Sequence, residues 1–423
     1  MNSWLNTVID LDLSSDPGID LLATLSKRHG AALARASGLA RRLFLLASPW
    51  APGLCLIGGQ AFSEGLQTSF SLAGSGQILE DALAGCIGEG VERLSQVERP
   101  GDVRVECSLG DADPQIMPSA RALTAEILAR SQTGGSTPVA WVRGNYLSTG
   151  REMLLPADWC LRRAGSGPLA IPGAALSTGC AAGPDANAAA ARALLELIER
   201  DAAGLWWIGG RRPRPLPFDG AAAAAGVQLL AALRRGSRSR ASWLLDITTD
   251  LGIPCVAAVS VDEEGRGLAC GLAARLSDED AVRAAVLEMC QMELAQPIAA
   301  TKLKERGEHA LNDVDRRHLA RAAEIDADAC ELLHPLGAPR QASTPTAGSS
   351  GDDDLAVLRN VFATRGIEAA LIELTRPEFG IPVVQAIAPA LQPMPCDLTT
   401  ERLRRTVAAT GGGQRWTRGI PLH

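Results

Sequence analysis

Ser177-Thr-Gly-Cys-Ala-Ala-Gly183, followed by twelve residues and then Glu196-Leu-Ile-Glu-Arg200, has a counterpart earlier in the chain. The earlier copy is Gly76-x12-Glu89-Gly-Val-Glu-Arg93, with the same spacing from glycine to glutamate. In both copies the intervening stretch is rich in Ala and Leu, which predicts a helix. Because residues three apart lie on one face of a helix, each copy is expected to place two carboxylates side by side.

The two carboxylate pairs have two interpretations. One Glu-x-x-Glu-Arg pattern alone is typical of an exposed helix with weak surface ion pairs. Two copies at matched spacing favour helices that share a cleft, where four carboxylates would repel one another without a cation. Oxygen ligands alone favour a hard ion such as Mg²⁺, and such ions commonly hold nucleotide phosphates. The predicted metal ligands are Glu89, Glu92, Glu196 and Glu199.

A second internal repeat indicates the architecture. Leu245–Pro254 resembles Ile372–Pro382, and each precedes an apolar run that is typical of a central strand, Cys255–Val259 and Val383–Ile387. Together the repeats predict an α/β (α+β), pseudo-symmetric fold with two mixed sheets. The helices between the sheets are expected to form a shared central cleft.

The rest of the chain supplies the predicted boundaries. Residues 1–53 form a lead-in region with a helix around Leu21–Leu43, and residues 54–423 form the main domain, which starts with a buried strand at Leu54–Gly58. Two stretches rich in small polar residues are predicted loops, Ser131–Pro138 and Gln341–Asp354.

Composition excludes several functional classes. The 423 residues are 46% hydrophobic and 21% charged, as in a folded globular protein. A net charge of −7 argues against a nucleic-acid or anionic-membrane binder. There is no secretory signal, apolar span, P-loop or Gly-x-Gly-x-x-Gly motif, so a cytoplasmic protein with another kind of nucleotide site is expected. The ten cysteines and five histidines lack motif spacing and are interpreted as structural.

From about Gly58 to Leu391 the sequence resembles the YcaO family. The resemblance is carried by four segments: Gly74–Gly76 with Glu89-x-x-Glu92-Arg93, Ser177–Gly183 with Ala193–Ala202, Leu245–Pro254, and Glu288-x-x-Gln291. The resemblance implies binding of ATP and Mg²⁺ between the helices. It adds a set of nucleotide-binding residues: Ser75, Gly76, Arg93, Ser177, Arg200, Arg283, Glu288 and Gln291. The two arginines that follow the glutamate pairs could equally hold the carboxylates in place.

The resemblance also implies a reaction on the peptide backbone of a ribosomally made precursor. In azoline formation, a Cys, Ser or Thr side chain attacks the preceding carbonyl and ATP phosphorylates the resulting oxyanion. The alternative is thioamide formation with a TfuA-like partner, and a further one is a non-catalytic scaffold. The implied partners are the precursor peptide and a leader-binding or TfuA-like protein, and a homodimer is left open.

Several positions depart from the family pattern. Ser75 stands where a lysine is common, Pro184 and Ala188 where Asn and Glu are common, and Ala284 where an arginine is common. The missing contacts could come from Asn187, from Arg283, or from the basic loop Arg211–Arg214, which could equally be a solvated turn. The single proline in the last five residues weakens the azoline assignment, because many azoline-forming members end in Pro-x-Pro-x-Pro.

Overall fold

The structure, a computed structural model, describes residues 8–103, 105–112, 115–130, 136–165, 167–170, 176–216, 220–341 and 351–422. The strands are β1 Ile9–Asp10, β2 Ala40–Leu46, β3 Cys55–Ser63, β4 Thr68–Gly76, β5 Val105–Cys107, β6 Val139–Tyr146, β7 Glu152–Pro156, β8 Cys180–Ala182, β9 Ala241–Asp246, β10 Cys255–Val261, β11 Ala269–Ala274, β12 Ala370–Glu373 and β13 Val383–Ile387. The helices are α1 Asp16–His29, α2 Ala31–Ala36, α3 Leu79–Ser95, α4 Leu109–Ala112, α5 Pro118–Arg130, α6 Ala186–Trp207, α7 Ala221–Arg234, α8 Asp278–Met292, α9 Ala295–Arg306, α10 Asp313–Glu324, α11 Gly351–Thr364, α12 Glu401–Thr410 and α13 Gln414–Thr417.

The strands form three sheets in the part of the chain that the structure describes. One has the order β1-β2-β3-β4, the second β11-β10-β9, and the third β5-β6-β12-β13-β8, with β7 paired to β6. The predicted α/β class is confirmed, but the prediction of two mixed sheets is wrong, since the strand pairs are antiparallel. Each of three central helices packs on its own apolar sheet face, which requires three sheets. The glutamate repeat marks only two of these helices, so the sequence predicts only two sheets.

Three strand–helix units build the centre of the molecule. Helix α3 packs on β3 and β4, α8 packs on β10 and β11, and α6 packs on β8 and β13 and also contacts β11. The 22-residue helix α6 is the most deeply placed of the three, with fifteen of its residues buried. The repeated second segments appear as the hairpins β9-β10 and β12-β13, as the sequence predicts.

The repeated glycines allow a tight turn from strand to helix. A Cβ at Gly183 would lie 2.5 Å from the backbone nitrogen of Ala189, and one at Gly76 would lie 2.8 Å from the Cβ of Asp81. Any larger residue would push the helix away from the strand. The two copies therefore share one strand–turn–helix geometry. With twelve residues between the glycine and the first glutamate, this geometry places the glutamate pair next to the strand.

Some predicted elements differ from the structure. The predicted helix around Leu21–Leu43 ends at His29 because Gly30 has a φ of 96°, and α2 and β2 follow. The strand predicted at Leu54–Gly58 is confirmed as β3. Residues 131–135 and 342–350 of the two predicted loops lie outside the described residues, and the end of the second loop is helical, since α11 begins at Gly351.

The lead-in region shares a sheet with the main domain. Strand β2 pairs with β3 along most of its length, and Leu21, Leu25 and Leu43 are buried in the same core as α3. The boundary between residues 53 and 54 stays a prediction. Among the described residues, no helix is long and apolar enough to cross a membrane. All ten cysteines are free and most are buried, as their scattered spacing predicts.

Candidate active site

The three central helices present five glutamates to strand edges. Each carboxylate accepts a hydrogen bond from a backbone amide. The pairs are Glu89 with Ala73 (2.7 Å), Glu92 with Ala182 (2.7 Å), Glu196 with Gly179 (3.0 Å), Glu199 with Ala274 (3.2 Å) and Glu288 with Leu272 (2.9 Å). The carboxylates are therefore held in fixed orientations by the backbone.

The order of these hydrogen bonds links the three units. Glu89, Glu196 and Glu288 each bond their own unit, α3 to β4, α6 to the turn before β8, and α8 to β11. Glu92 on α3 and Glu199 on α6 bond the strand of the next unit. The glutamates thus form a continuous row across the three helices, which we call the carboxylate row (Glu89, Glu92, Glu196, Glu199 and Glu288).

Neighbouring carboxylates repel one another along this row, since Glu196 raises the pKa of Glu92, and Glu199 raises the pKa values of both Glu196 and Glu288. Burial raises the pKa of Glu92 to about 8; the amide of Ala182 lowers it, and the charge of Glu196 raises it further. Burial also raises the pKa of Glu196 to about 7, against the lowering effect of Arg200. Two carboxylates held together in this way favour a shared proton or a cation.

A further pair of carboxylates lies between α6 and α8. Burial raises the pKa of Glu288 to about 7, and the neighbouring charge of Glu199 raises it further. The pKa of Glu199 is also raised by burial, while Arg200 and Arg275 lower it. The row therefore holds negative charge only at a cost in the ligand-free protein.

The geometry is a row and not a single cluster of four ligands. Among the residues that the structure describes, no group of three or more His, Cys, Asp or Glu side chains is close enough to hold one ion. Since each carboxylate has only one backbone donor assigned to it, oxygen lone pairs stay available for a ligand. Oxygen donors with raised pKa values suit Mg²⁺, and a cation would be stabilised where these carboxylates repel one another.

The two repeated arginines behave differently. Arg93 donates to Glu89 from Nε (3.0 Å) and from Nη2 (2.5 Å). The Nη2 of Arg200 lies 3.5 Å from Glu196 and 3.6 Å from Glu199, and its Nε is buried without a hydrogen-bond partner among the residues that the structure describes. Arg93 thus fixes a carboxylate, while the donors of Arg200 are poorly used.

Four of the other predicted nucleotide contacts lie on elements next to the carboxylate row, and one lies on a different helix face. Ser75 and Gly76 end strand β4, Ser177 lies in the turn before β8, and Gln291 lies one helical turn after Glu288. Arg283 does not approach the row, because it lies on another face of α8 and pairs with Glu279 (Nη2 to Oε1, 2.9 Å).

The basic loop Arg211–Arg214 and Asn187 are the other residues that the sequence offers as nucleotide contacts. Arg211 donates to the carbonyl oxygens of Thr248 (2.8 Å) and Ile247. Arg212 pairs with Glu331. Both arginines therefore make contacts within the protein. Neither the interpretation as nucleotide contacts nor the one as a freely solvated turn fits these contacts. Asn187 is exposed in the first turn of α6.

A cleft of about 810 Å³ opens beside the first half of the row. Glu89 and Glu92 form one wall and Gly183 and Pro184 another, and Arg192 lies at its edge. We call it the carboxylate cleft. Its volume is in the range of sites that bind cofactor-sized ligands.

Sequence reasoning missed two basic residues of the cleft. Arg192 donates to the carbonyl oxygen of Ala182 (2.9 Å), and its charge stabilises the ionised form of Glu92. Its position four residues before Glu196 was a usable signal, because such residues share a helix face. Arg28 also lines the cleft and pairs with Asp81 (3.0 Å). No sequence pattern connects α1 to α3, so this contact was not predictable.

The fold and the carboxylate row define a nucleotide- and metal-dependent enzyme class. The family model for YcaO cyclodehydratases, which bind ATP and Mg²⁺, matches residues 73–392, more than half of the chain. The chain therefore belongs to the YcaO family. ATP and Mg²⁺ are accordingly the cofactors of its site. Comparison with curated protein sequences gives no match.

Solved structures share the fold. A heterocyclase in complex with substrate and cofactor is 23% identical, with a TM-score of 0.69 over 88% of this chain and 52% of that one. YcaO from Methanopyrus kandleri, bound with AMPPCP and Mg²⁺, is 20% identical, with a TM-score of 0.60 over 88% and 91%. The E. coli microcin synthetase McbBCD complex with pro-MccB17 is 16% identical, with a TM-score of 0.62 over 91% of both chains. The present chain spans about half the length of that first heterocyclase and of the heterocyclase TruD.

Proposed function

We propose that this protein uses ATP and Mg²⁺ to modify the peptide backbone of a ribosomally made precursor, by azoline formation. The observation that carries the proposal is the intact carboxylate row, in which repelling carboxylates are buried or half-buried and held by backbone amides. A row of this kind is costly to keep without a cation, so its presence supports a working metal site.

The residues divide into two proposed metal-binding pairs. Glu92 with Glu196 would hold one Mg²⁺, and Glu199 with Glu288 would hold a second, while Glu89 orients Arg93. When bound, Mg²⁺ neutralises the charge of the triphosphate and positions its terminal phosphoryl group. The glutamate side chains keep their orientation through the backbone bonds. This assigns Glu288 to metal binding in addition to the nucleotide site.

The nucleotide itself is proposed to occupy the carboxylate cleft. Arg192 and Arg28 line this cleft and could supply positive charge that Ser75 and Ala284 do not. Ser75, Gly76, Ser177 and Gln291 are proposed as further contacts, on the strength of the resemblance. Arg283 is not retained in this set, because its pairing with Glu279 holds it on another face.

In the proposed reaction, a Cys, Ser or Thr side chain of the precursor loses its proton and attacks the preceding carbonyl carbon. The resulting oxyanion takes the terminal phosphoryl group of ATP and releases ADP. The amide nitrogen then loses its proton and forms a C=N bond as the C–O bond breaks, so that phosphate and a five-membered ring are the products. The solved relatives include a heterocyclase with substrate and a microcin synthetase with pro-MccB17, which supports a peptide substrate delivered with a second protein. A cytoplasmic location and a homodimer stay predictions from the sequence.

Mass spectrometry of a precursor peptide separates azoline formation from its alternatives. The protein would be incubated with ATP, Mg²⁺, and a Cys- or Ser-rich precursor, with and without a leader-binding delivery protein. Loss of one water per modified residue, coupled to ADP formation, is expected. Replacement of oxygen by sulfur with added sulfide would establish thioamide formation instead. Peptide binding without any ATP consumption would favour the scaffold alternative and contradict the proposal.

A further inference from the structure

A second cavity lies beside the carboxylate row. It has a volume of about 230 Å³ and lies between α6, the end of β13 and the segment 388–398. Its walls are mainly apolar, with Leu123, Trp159, Leu176, Leu197, Ile387, Leu391 and Leu398 among them. We call it the apolar cavity.

One end of the apolar cavity reaches the row through Arg200. Leu197 and Arg200, one turn apart on α6, both line the cavity. The same guanidinium group reaches Glu196 and Glu199 only at 3.5 and 3.6 Å, and its Nε has no partner in the described part of the chain. Unmet donors on a buried cation are costly, so an acceptor that arrives beside Arg200 would be stabilised.

The walls of the apolar cavity are preformed. Gln392 holds the segment 388–398 by donating its amide to the carbonyl oxygens of Pro393 (2.9 Å) and Leu398 (2.8 Å). The backbone nitrogen of Gln392 donates to Asp201 on α6 (2.9 Å), and Asp201 pairs with Arg402 (2.8 Å). A ligand would therefore enter without the cost of ordering this wall.

Two other polar groups of the wall, on Asp158 and Gln392, are already satisfied by the protein. Asp158 accepts from the amide of Leu169 (3.0 Å) and from Arg163 (2.9 Å). Both ends of the Gln392 amide are bonded, since its oxygen accepts from Thr400 (3.0 Å). When a backbone carbonyl oxygen occupies Arg200, a polar side chain in the cavity would lose water without gaining a partner there, whereas an apolar side chain would gain burial.

We propose that the apolar cavity binds an apolar side chain of the peptide substrate, on a residue next to the amide that reacts. The carboxylate cleft and the apolar cavity then lie on two sides of the row, with Glu89 and Glu92 facing the first and Arg200 facing the second. Arg200 is placed to bind the carbonyl oxygen of the bound peptide. This inference rests on the proposed function and specifies which peptides that site accepts.

Calorimetry with short peptides tests the cavity. The probes are blocked hexapeptides Gly-Gly-X-Cys-Gly-Gly in which X is Gly, Leu or Asp, added to the protein with Mg²⁺ and a non-hydrolysable ATP analogue. Burial of a leucine side chain predicts binding at least about tenfold tighter for the Leu peptide than for the Gly peptide. The Asp peptide is expected to bind no better than the Gly peptide, because in the proposed complex the carbonyl oxygen of the peptide already occupies Arg200.

Two variants localise the effect. Ala388→Leu fills the apolar cavity and is expected to remove the preference for the Leu peptide. Its matched control, Ala223→Leu, adds the same side chain to a different apolar cavity, between α7 and β9, and is expected to keep the preference. Mg²⁺-dependent binding of the ATP analogue should be unchanged in both, which shows that both are folded.

Equal binding of the Leu and Gly peptides, absence of binding by either, or an unchanged preference in Ala388→Leu would overturn the inference. Failure of the wild-type protein to bind the ATP analogue with Mg²⁺ would instead overturn the proposed function. The two failures are therefore distinguishable in one set of titrations.

Discussion

Replacing Glu196 with Gln is expected to lower ATP turnover by about a hundredfold or more, because it removes the negative charge from one proposed metal-binding pair. The same change is expected to stabilise the ligand-free protein. Burial raises the pKa of Glu196 to about 7, so at pH 8 the native state carries an unfavourable buried charge. Glutamine is neutral and keeps an oxygen that accepts from Gly179. A gain of about 1–2 kcal/mol in the free energy of unfolding follows, after allowance for partial exposure of the side chain.

Turnover and thermal denaturation at pH 8 without Mg²⁺ measure the two effects. The matched control is Glu64→Gln, where the side chain is 79% exposed and pairs only with the exposed Arg41. This control is expected to change neither quantity appreciably. A Glu196→Gln protein that was both active and less stable than wild type would show that the carboxylate is structural and not part of a metal site.

The stability of the ligand-free protein is expected to fall as the pH rises from about 5 to about 8. Burial holds the pKa values of Glu92, Glu196 and Glu288 at about 8, 7 and 7, above the ordinary value of 4.5. The folded state therefore binds more protons than the unfolded state in this window. The stabilisation that these groups provide is complete below about pH 4.5 and is lost as the pH rises through their folded pKa values. Each contributes a slope of up to about 1.4 kcal/mol per pH unit.

Mg²⁺ with an ATP analogue is expected to reduce or reverse this slope. A metal ion requires ionised carboxylates, so binding releases the protons that the row holds near neutral pH. Melting temperatures between pH 5.5 and 8.5, with and without both ligands, measure the change. The glutamine variant of Glu196 should show a shallower slope without ligands. Identical slopes in all these samples would contradict the assignment of the row as the metal site.

The spacing of the repeats made the central part of the fold predictable. Gly183 and Gly76 occupy tight strand-to-helix turns, and a constant distance then brings Glu196 and Glu89 back alongside the strand. Hydrogen bonds between units were not predictable. Whether Glu92 contacts Ala182 depends on the packing of two elements ninety residues apart, which no local pattern encodes.

Arg283 stays a prediction that the geometry of α8 does not favour. It neighbours Ala284, where the family commonly has an arginine, but adjacent residues on a helix point in directions about 100° apart. The third sheet was not predictable from the repeats. Glu288 belongs to the row as fully as the repeated glutamates do, yet α8 carries one glutamate at that place and not the pair by which α3 and α6 were recognised.

The most direct test of the account is a calorimetric titration of the purified wild-type protein with a non-hydrolysable ATP analogue, with and without Mg²⁺. The account predicts saturable binding that requires Mg²⁺, together with release of protons at pH 7 that is detected by repeating the titration in buffers of different ionisation enthalpy. Absence of binding at millimolar analogue and Mg²⁺ by a folded protein would contradict it. Binding that neither needed Mg²⁺ nor released protons would contradict the role given to the carboxylate row.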